Sequence, residues 1–203
     1  MEPVESRYEF RCFVSPMEPL PPATIQAMGD VTAHESREIY AVSALGTGVN
    51  LKYRNGEMDL KRLLAVDGDL EQWSPGERTS FPVAHEWLTE VLALGLGIGD
   101  ALASAPESVT APMLFEELLR TVPGVGLADV RKARRIFEHA DCRAEHAMVH
   151  INGAAIVTLC VESTDPNAVR AARASLGLSG YENTSYPTAI ARIMGLSPVP
   201  LHY

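Results

Sequence analysis

Residues Glu5 to Val14 read ESRYEFRCFV, and this stretch is the strongest indication of the fold in the chain. Successive residues of a β-strand point to opposite faces, so a regular alternation of character predicts a strand. One predicted face is apolar, and the other carries acid, base, acid and base in one row: Glu5, Arg7, Glu9 and Arg11. A solvent-exposed face would tolerate such a row, so this strand alone leaves its role open.

The composition limits what the chain can be. With 203 residues, of which 46% are apolar and 21% charged, we expect one domain, residues 1–203, with a substantial core. The formal net charge of −9 disfavours binding to nucleic acid. The sequence contains no cationic amphipathic helix of the kind that binds a membrane surface. The sequence does not distinguish a monomer from a homodimer.

The cysteines and the N-terminal residues bear on the compartment. The chain has three cysteines, an odd number, and no C-x-x-C pair, which favours free thiols in a reducing environment. The first ten residues, MEPVESRYEF, lack the basic segment and apolar run of a signal peptide. We therefore predict a cytoplasmic protein.

Further strands repeat the charged face. Arg37 to Ser43, Asn50 to Arg54 and Glu57 to Leu64 read as strands, and Asn55-Gly56 between the last two is a strong hairpin signal. A second Asn-Gly pair, Asn152-Gly153, predicts a hairpin between Arg143–Ile151 and Ile156–Glu162. Strand spacing places bases and acids on shared faces in several of these segments: Lys52 with Arg54, Asp59 with Lys61, and, in a strand over Val130 to Phe137, Lys132 with Arg134.

Helices are predicted around these strands. The apolar pattern from Ala84 to Leu102 indicates a helix, although its glycines weaken the second half. Shorter helices are expected after Pro21-Pro22, over Met113 to Arg120, from Asn167 to Leu176 and from Tyr186 to Gly195. The fold class is therefore α+β.

Two arrangements of the strands remain open. An open antiparallel sheet would leave the charged faces in water. A closed or nearly closed antiparallel β-barrel would turn them inward, with the apolar faces packed against helices outside. The barrel would collect many bases and several acids in one cavity.

The order of these motifs resembles the CYTH family, the triphosphate tunnel metalloenzymes. That family begins with E-x-E-x-K, continues with basic strands and closes with an acidic strand and a helix near a Ser-Tyr motif. The similarity covers nearly the whole chain, through short motifs: Arg7-Tyr8-Glu9-Phe10-Arg11, Lys52-Tyr53-Arg54, Asp59-Leu60-Lys61, Lys132-Ala133-Arg134, Cys160-Val161-Glu162 and Ser185-Tyr186.

The resemblance implies an eight-stranded tunnel that binds a triphosphate-containing small molecule and hydrolyses it with Mg²⁺ or Mn²⁺. Hard divalent cations prefer carboxylate oxygens, and arginine matches phosphate oxygens in pairs. The implied catalytic acids are Glu9 and Glu162, and the implied metal ligands are Glu9, Glu145 and Glu162. The implied phosphate-binding residues are Arg7, Arg11, Lys52, Arg54, Lys61, Lys132 and Arg134.

The sequence departs from the family pattern at three positions, two of which are acidic in the family. Arg7 replaces the first acid of the opening motif, Arg11 replaces its lysine, and Cys160 replaces an acid in the closing strand. We therefore carry three hypotheses: a metal-dependent triphosphatase, a binding protein for a phosphorylated small molecule or another polyanion, and, ranked last, an adenylyl cyclase.

Overall fold

The structure, a computed structural model, describes residues 5–46, 48–197 and 201. The strands, in chain order, are β1 (Arg7–Val14), β2 (Thr32–Ser43), β3 (Val49–Arg54), β4 (Glu57–Asp67), β5 (Leu70–Trp73), β6 (Glu77–Ser80), β7 (Val83–Ala84), β8 (Ser108–Val109), β9 (Val125–His139), β10 (Cys142–Ile151) and β11 (Ala154–Ser163). The α-helices are α1 (Pro22–Ala27), α2 (Leu94–Leu96), α3 (Pro166–Ser175) and α4 (Tyr186–Ile193).

Eight strands close into an antiparallel barrel. Their order is β3-β2-β9-β10-β11-β1-β5-β4, and pairing between β3 and β4 closes the ring. Strand β6 pairs with the first half of β4 beside the ring. The prediction of a closed barrel with helices outside is confirmed, and the open-sheet alternative is wrong.

Both predicted Asn-Gly hairpins are present. Asn55 and Gly56 have φ of 51° and 84°, and Asn152 and Gly153 have φ of 50° and 90°. A type I′ turn needs positive φ at both central residues, which Asn and Gly tolerate best. These turns determine the register of β3 with β4 and of β10 with β11, so that Arg54 faces Glu57.

The helix predicted from Ala84 to Leu102 is helical as far as Leu96 and is broken in its second half, where its glycines weakened the prediction. A π-helix (Trp87–Ala93) runs directly into the single turn α2, and a 3₁₀ turn (Gly99–Leu102) follows after the break. Gly97 and Gly99 have φ of 66° and 54°, which an α-helix excludes. A second π-helix (Met113–Leu118) and 3₁₀ turn (Leu119–Thr121) follow, and their apolar residues pack with the outer faces of β3 and β4.

Helix α3 covers the outer face of another part of the barrel. Asp165 caps it by accepting a hydrogen bond from Asn167 N at 2.8 Å. Val169 and Ala172 pack on the apolar residues of β1, among them Phe10 and Cys12. The opposite face of β1, with Glu9 and Arg11, therefore lies inside the barrel.

Helix α4 closes one end of the barrel. Its residues Tyr186, Ala189 and Ile190 pack on inward apolar side chains such as Phe13 and Ile151. We call this end the floor and the opposite end, with Arg7 and Arg143, the rim. The barrel interior is therefore a cup rather than a passage open at both ends. No helix in residues 5–46, 48–197 or 201 is long and apolar enough to cross a membrane.

Candidate functional site

Strand register places the charged residues of several strands on the inner wall. Directly opposite residues of an antiparallel pair face the same side, and Glu9 lies opposite Glu162, Lys52 opposite Asp59. The structure places every residue of the predicted site on this wall: Arg7, Glu9, Arg11, Lys52, Arg54, Lys61, Lys132, Arg134, Glu145 and Glu162. What each one binds remains a prediction.

Arg11 occupies the centre of the cup and is 7% exposed. Its Nε donates to Glu9 Oε1 at 2.8 Å and its Nη1 to Glu145 Oε1 at 3.1 Å. The guanidinium also lies over the Tyr186 ring, 4.6 Å from the centroid. Burial acts to raise the pKa of Glu9, but the charges of Arg11 and Lys61 lower it overall. One arginine therefore joins two of the three predicted metal ligands.

Lys132 makes a second buried cluster near the floor. Its ammonium donates to Glu38 Oε2 and to the Tyr40 hydroxyl, both at 2.7 Å, and lies 3.9 Å from the Tyr186 ring centroid. Although burial opposes it, the charges of Lys132 and Lys52 lower the pKa of Glu38 to about 2. Burial lowers the pKa of Lys132, and Glu38 acts against that shift.

A third cluster lines the wall formed by β3 and β4. Arg54 Nη2 donates to Asp59 Oδ2 at 2.7 Å, and Lys52 Nζ lies 3.7 Å from the same oxygen. Arg54 Nη1 also lies 3.5 Å from Glu38 Oε1, which connects this cluster to the second. Lys61 differs, because it has no hydrogen bond or ion pair within the part of the chain that the structure describes.

The rim carries the most exposed charges of the wall. Arg7 Nη1 and Arg143 Nη1 lie 3.1 Å and 3.3 Å from the same oxygen, Glu162 Oε1. Both arginine side chains are 44% exposed, and Glu162 is 17% exposed. Deeper in the cup, Arg134 Nη1 lies 3.9 Å from Glu145 Oε2.

A cavity of about 250 Å³ lies between β2, the β3–β4 hairpin and β6. Its cationic lining includes Arg37, Arg54 and Arg78, and its acidic lining includes Glu57 and Asp59. Arg54 and Asp59 also belong to the inner wall, so the cavity meets the interior there. The cavity thus offers a small ligand both positive and negative groups.

The carboxylates do not form a ready metal cage. Glu71, Glu9 and Glu162 lie side by side on β5, β1 and β11. Trp73 Nε1 donates to Glu71, and the other two carboxylates bind arginines. Within the described ranges, no three His, Cys, Asp or Glu side chains converge as metal ligands. A metal ion that arrives with a phosphate needs only one or two protein carboxylates, and the row fits that use.

Sequence reasoning missed four residues of the wall. Glu38 and Tyr40 alternate on β2, and Glu71 shares a strand face with Trp73. Arg143 alternates with Glu145 on β10. Strand spacing could have identified all four. Glu38, Tyr40 and Glu71 were missed because they lie outside the motifs that carry the family resemblance, and Arg143 because polar and apolar residues alternate poorly along β10.

Comparison with solved structures finds proteins of low sequence identity. An adenylyl cyclase candidate from Hippeastrum with a dominant triphosphatase activity is 12% identical, covering 98% of this chain and 100% of that one, with a TM-score of 0.48. An adenylate cyclase candidate from Bacillus halodurans is 11% identical, covering 90% and 97%, with a TM-score of 0.47. The PH1012 protein from Pyrococcus horikoshii is 14% identical, covering 89% and 97%, with a TM-score of 0.48.

No family model and no curated protein matches the chain by sequence.

Proposed function

We propose that the cup binds a small polyphosphate, of the inorganic triphosphate class, together with a divalent cation. The observation that supports this is the pairing of the inner wall, where Arg11, Lys132 and Arg54 each contact an inward carboxylate. A polyanion that drew these bases away would leave carboxylates without a counter-charge, which is costly in a buried site. A polyphosphate that carries Mg²⁺ or Mn²⁺ replaces both partners, because phosphate takes the bases and the cation takes the carboxylates.

Lys61 is the base best placed to bind phosphate without loss of an existing contact, because no acid bonds to it among the described residues, although its charge acts on Glu9. The cavity of about 250 Å³ beside Arg54 and Asp59 is a separate space at this wall, and none of Arg11, Lys61 and Lys132 lines it.

We further propose that the bound polyphosphate is hydrolysed. Bound Mg²⁺ or Mn²⁺ would supply Lewis-acid polarisation of a phosphoryl oxygen. Glu9 and Glu162 would bind the ion with their oxygens not engaged by arginine, and Glu145 would release its contact with Arg11 to assist. The bases would hold the phosphate oxygens in line for attack by water, so no covalent intermediate with the protein is required.

Binding without hydrolysis is the second candidate. Arg11 contacts both Glu9 and Glu145, and Arg7 adds a positive charge beside Glu162. Positive charge close to a carboxylate opposes a metal ion there, by about 4 kcal/mol for unit charges 4 Å apart at intermediate dielectric. Under this candidate the polyphosphate binds with its cation but no phosphate is released.

Isothermal titration and phosphate release with tripolyphosphate, with and without Mn²⁺, test the proposal. We expect binding that strengthens when Mn²⁺ is present. Lys61→Gln should weaken it about tenfold to a hundredfold, since a charged hydrogen bond contributes roughly 1.5–3 kcal/mol. Arg131→Gln is the matched control, because Arg131 is 65% exposed on the outer face of β9. Absence of tripolyphosphate binding in both conditions would overturn the proposed function, whereas binding without phosphate release would remove only hydrolysis.

A further inference from the structure

Arg7 is the base of the opening motif to which the proposed function assigns no phosphate. It stands at the rim on β1, two residues above Glu9 and four above Arg11. Strand residues rise about 3.3 Å each, so the Cα atoms of Arg7 and Arg11 are about 13 Å apart. A single phosphate group cannot contact both levels, but an extended anion can.

The rim presents two arginines around one carboxylate. Arg7 and Arg143 both donate through Nη1 to Glu162 Oε1, at 3.1 Å and 3.3 Å. The three side chains together therefore carry one net positive charge. Glu138, opposite Arg143 on β9, is an exposed acid that forms no ion pair with it among the described residues.

Both arginines keep donors available for a ligand. A guanidinium has five N–H donors in a planar fork that matches two phosphate oxygens. Within residues 5–46, 48–197 and 201, the Nε and Nη2 atoms of Arg7 and Arg143 have no hydrogen-bond acceptor. Each side chain is 44% exposed, so a ligand reaches these donors without unfolding the wall.

We propose that Arg7 and Arg143 form a second anion subsite at the rim. It binds a distal phosphate or other anionic group of a ligand whose first phosphates lie in the cup, and it thereby selects extended anions. The subsite rests on the proposed function, since the cup must hold the inner end of the same ligand. Because α4 closes the floor, a longer ligand extends past the rim, where the two arginines lie.

Linear phosphates of increasing length are the probes. Affinities for triphosphate, tetraphosphate and hexaphosphate are measured by isothermal titration at fixed Mn²⁺ and ionic strength. A longer phosphate chain carries more charge and binds any basic site more tightly, so a preference of the wild type for long chains does not test the subsite. The test is how far each variant changes that preference. Arg7→Gln and Arg143→Gln each leave one arginine on Glu162, so neither leaves that carboxylate unpaired.

We expect each variant to reduce the hexaphosphate-to-triphosphate affinity ratio about fivefold or more, through loss of charge-assisted hydrogen bonds. Arg131→Gln on the outer face should keep the wild-type ratio, and thermal melts should show that all three variants fold. If the ratio stays at the wild-type value in both rim variants, the subsite proposal is wrong. The proposed function still holds in that case as long as triphosphate binds. If no phosphate binds, both proposals fail together.

Discussion

The two ends of the cup use the same kinds of charged pair in different surroundings. Near the floor, Lys132 and Glu38 are 5% and 1% exposed and lie 2.7 Å apart. At the rim, Arg7 and Glu162 are 44% and 17% exposed and lie 3.1 Å apart. An exposed pair contributes roughly 0–1 kcal/mol, whereas removal of one partner from a buried pair costs several. The floor pair therefore contributes mainly to the stability of the fold, whereas the residues of the rim pair can exchange each other for a ligand.

The difference follows from what covers each end. Helix α4 places Tyr186 and Ile190 against the floor and excludes water from it. The rim is bordered by strand ends and receives no helix comparable to α4 among the described elements. Ligand exchange is therefore easier at the rim, and three measurements test this difference between the two ends.

The largest effect is expected for Lys132→Met. Loss of the ammonium leaves Glu38 charged and 1% exposed, and Arg54 at 3.5 Å is its remaining ion-pair partner among the described residues. We expect the free energy of unfolding to fall by about 3 kcal/mol, the lower end of the usual range because Arg54 remains. Urea denaturation at pH 7 measures it.

Arg143→Met provides the control at the rim, with an expected loss of about 0–1 kcal/mol. Glu38→Leu combined with Lys132→Met should recover part of the stability, because no unpaired charge is left. Equal losses for Lys132→Met and Arg143→Met would show that burial does not separate the two ends.

The pH dependence of stability should report the floor pair. The pKa of Glu38 is lowered to about 2 from an ordinary value of 4.5, so its contribution is complete above about pH 4.5 and is lost as the pH falls towards 2. At about 1.4 kcal/mol per pKa unit the loss approaches about 3 kcal/mol. Urea midpoints between pH 2.5 and 6 should fall more steeply in the wild type than in Glu38→Gln. Parallel curves would mean that Glu38 is not held ionised by the bases around it.

The smallest effect concerns the two tyrosines that flank Lys132. The Tyr40 hydroxyl accepts a hydrogen bond from Lys132, whereas the buried Tyr186 hydroxyl has no partner among the described residues. Tyr40→Phe should cost roughly 1–3 kcal/mol, because the ammonium loses a buried acceptor. Tyr186→Phe should change stability by less than about 1 kcal/mol and keep the ring beneath Arg11 and Lys132. Thermal melts of both variants suffice, and a larger cost for Tyr186→Phe would reveal a partner for its hydroxyl.

Much of the barrel was predictable because its signals are local. The alternation in Glu5 to Val14 has the period of a strand, and the two Asn-Gly turns set the register of their hairpins. The helix predicted from Ala84 continues to Leu96 and breaks in the second half, where Gly97 and Gly99 adopt positive φ and where the glycines had weakened the prediction. Residue spacing predicts which side chains share a face of one strand or helix, but not which strands or helices lie next to each other.

Neighbouring residues are enough to specify the strands, their hairpins and which side chains share each charged face, because strand alternation and turn chemistry are local. Long-range contacts were needed to pair β2 with β9 and β1 with β11, to place α4 over one end, and to bring Arg11 to Glu145. The partners in those contacts are far apart in the chain, by 134 residues for Arg11 and Glu145. Burial and charge pairing depend on such distant contacts, and they distinguish the committed pair at the floor from the exchangeable pair at the rim.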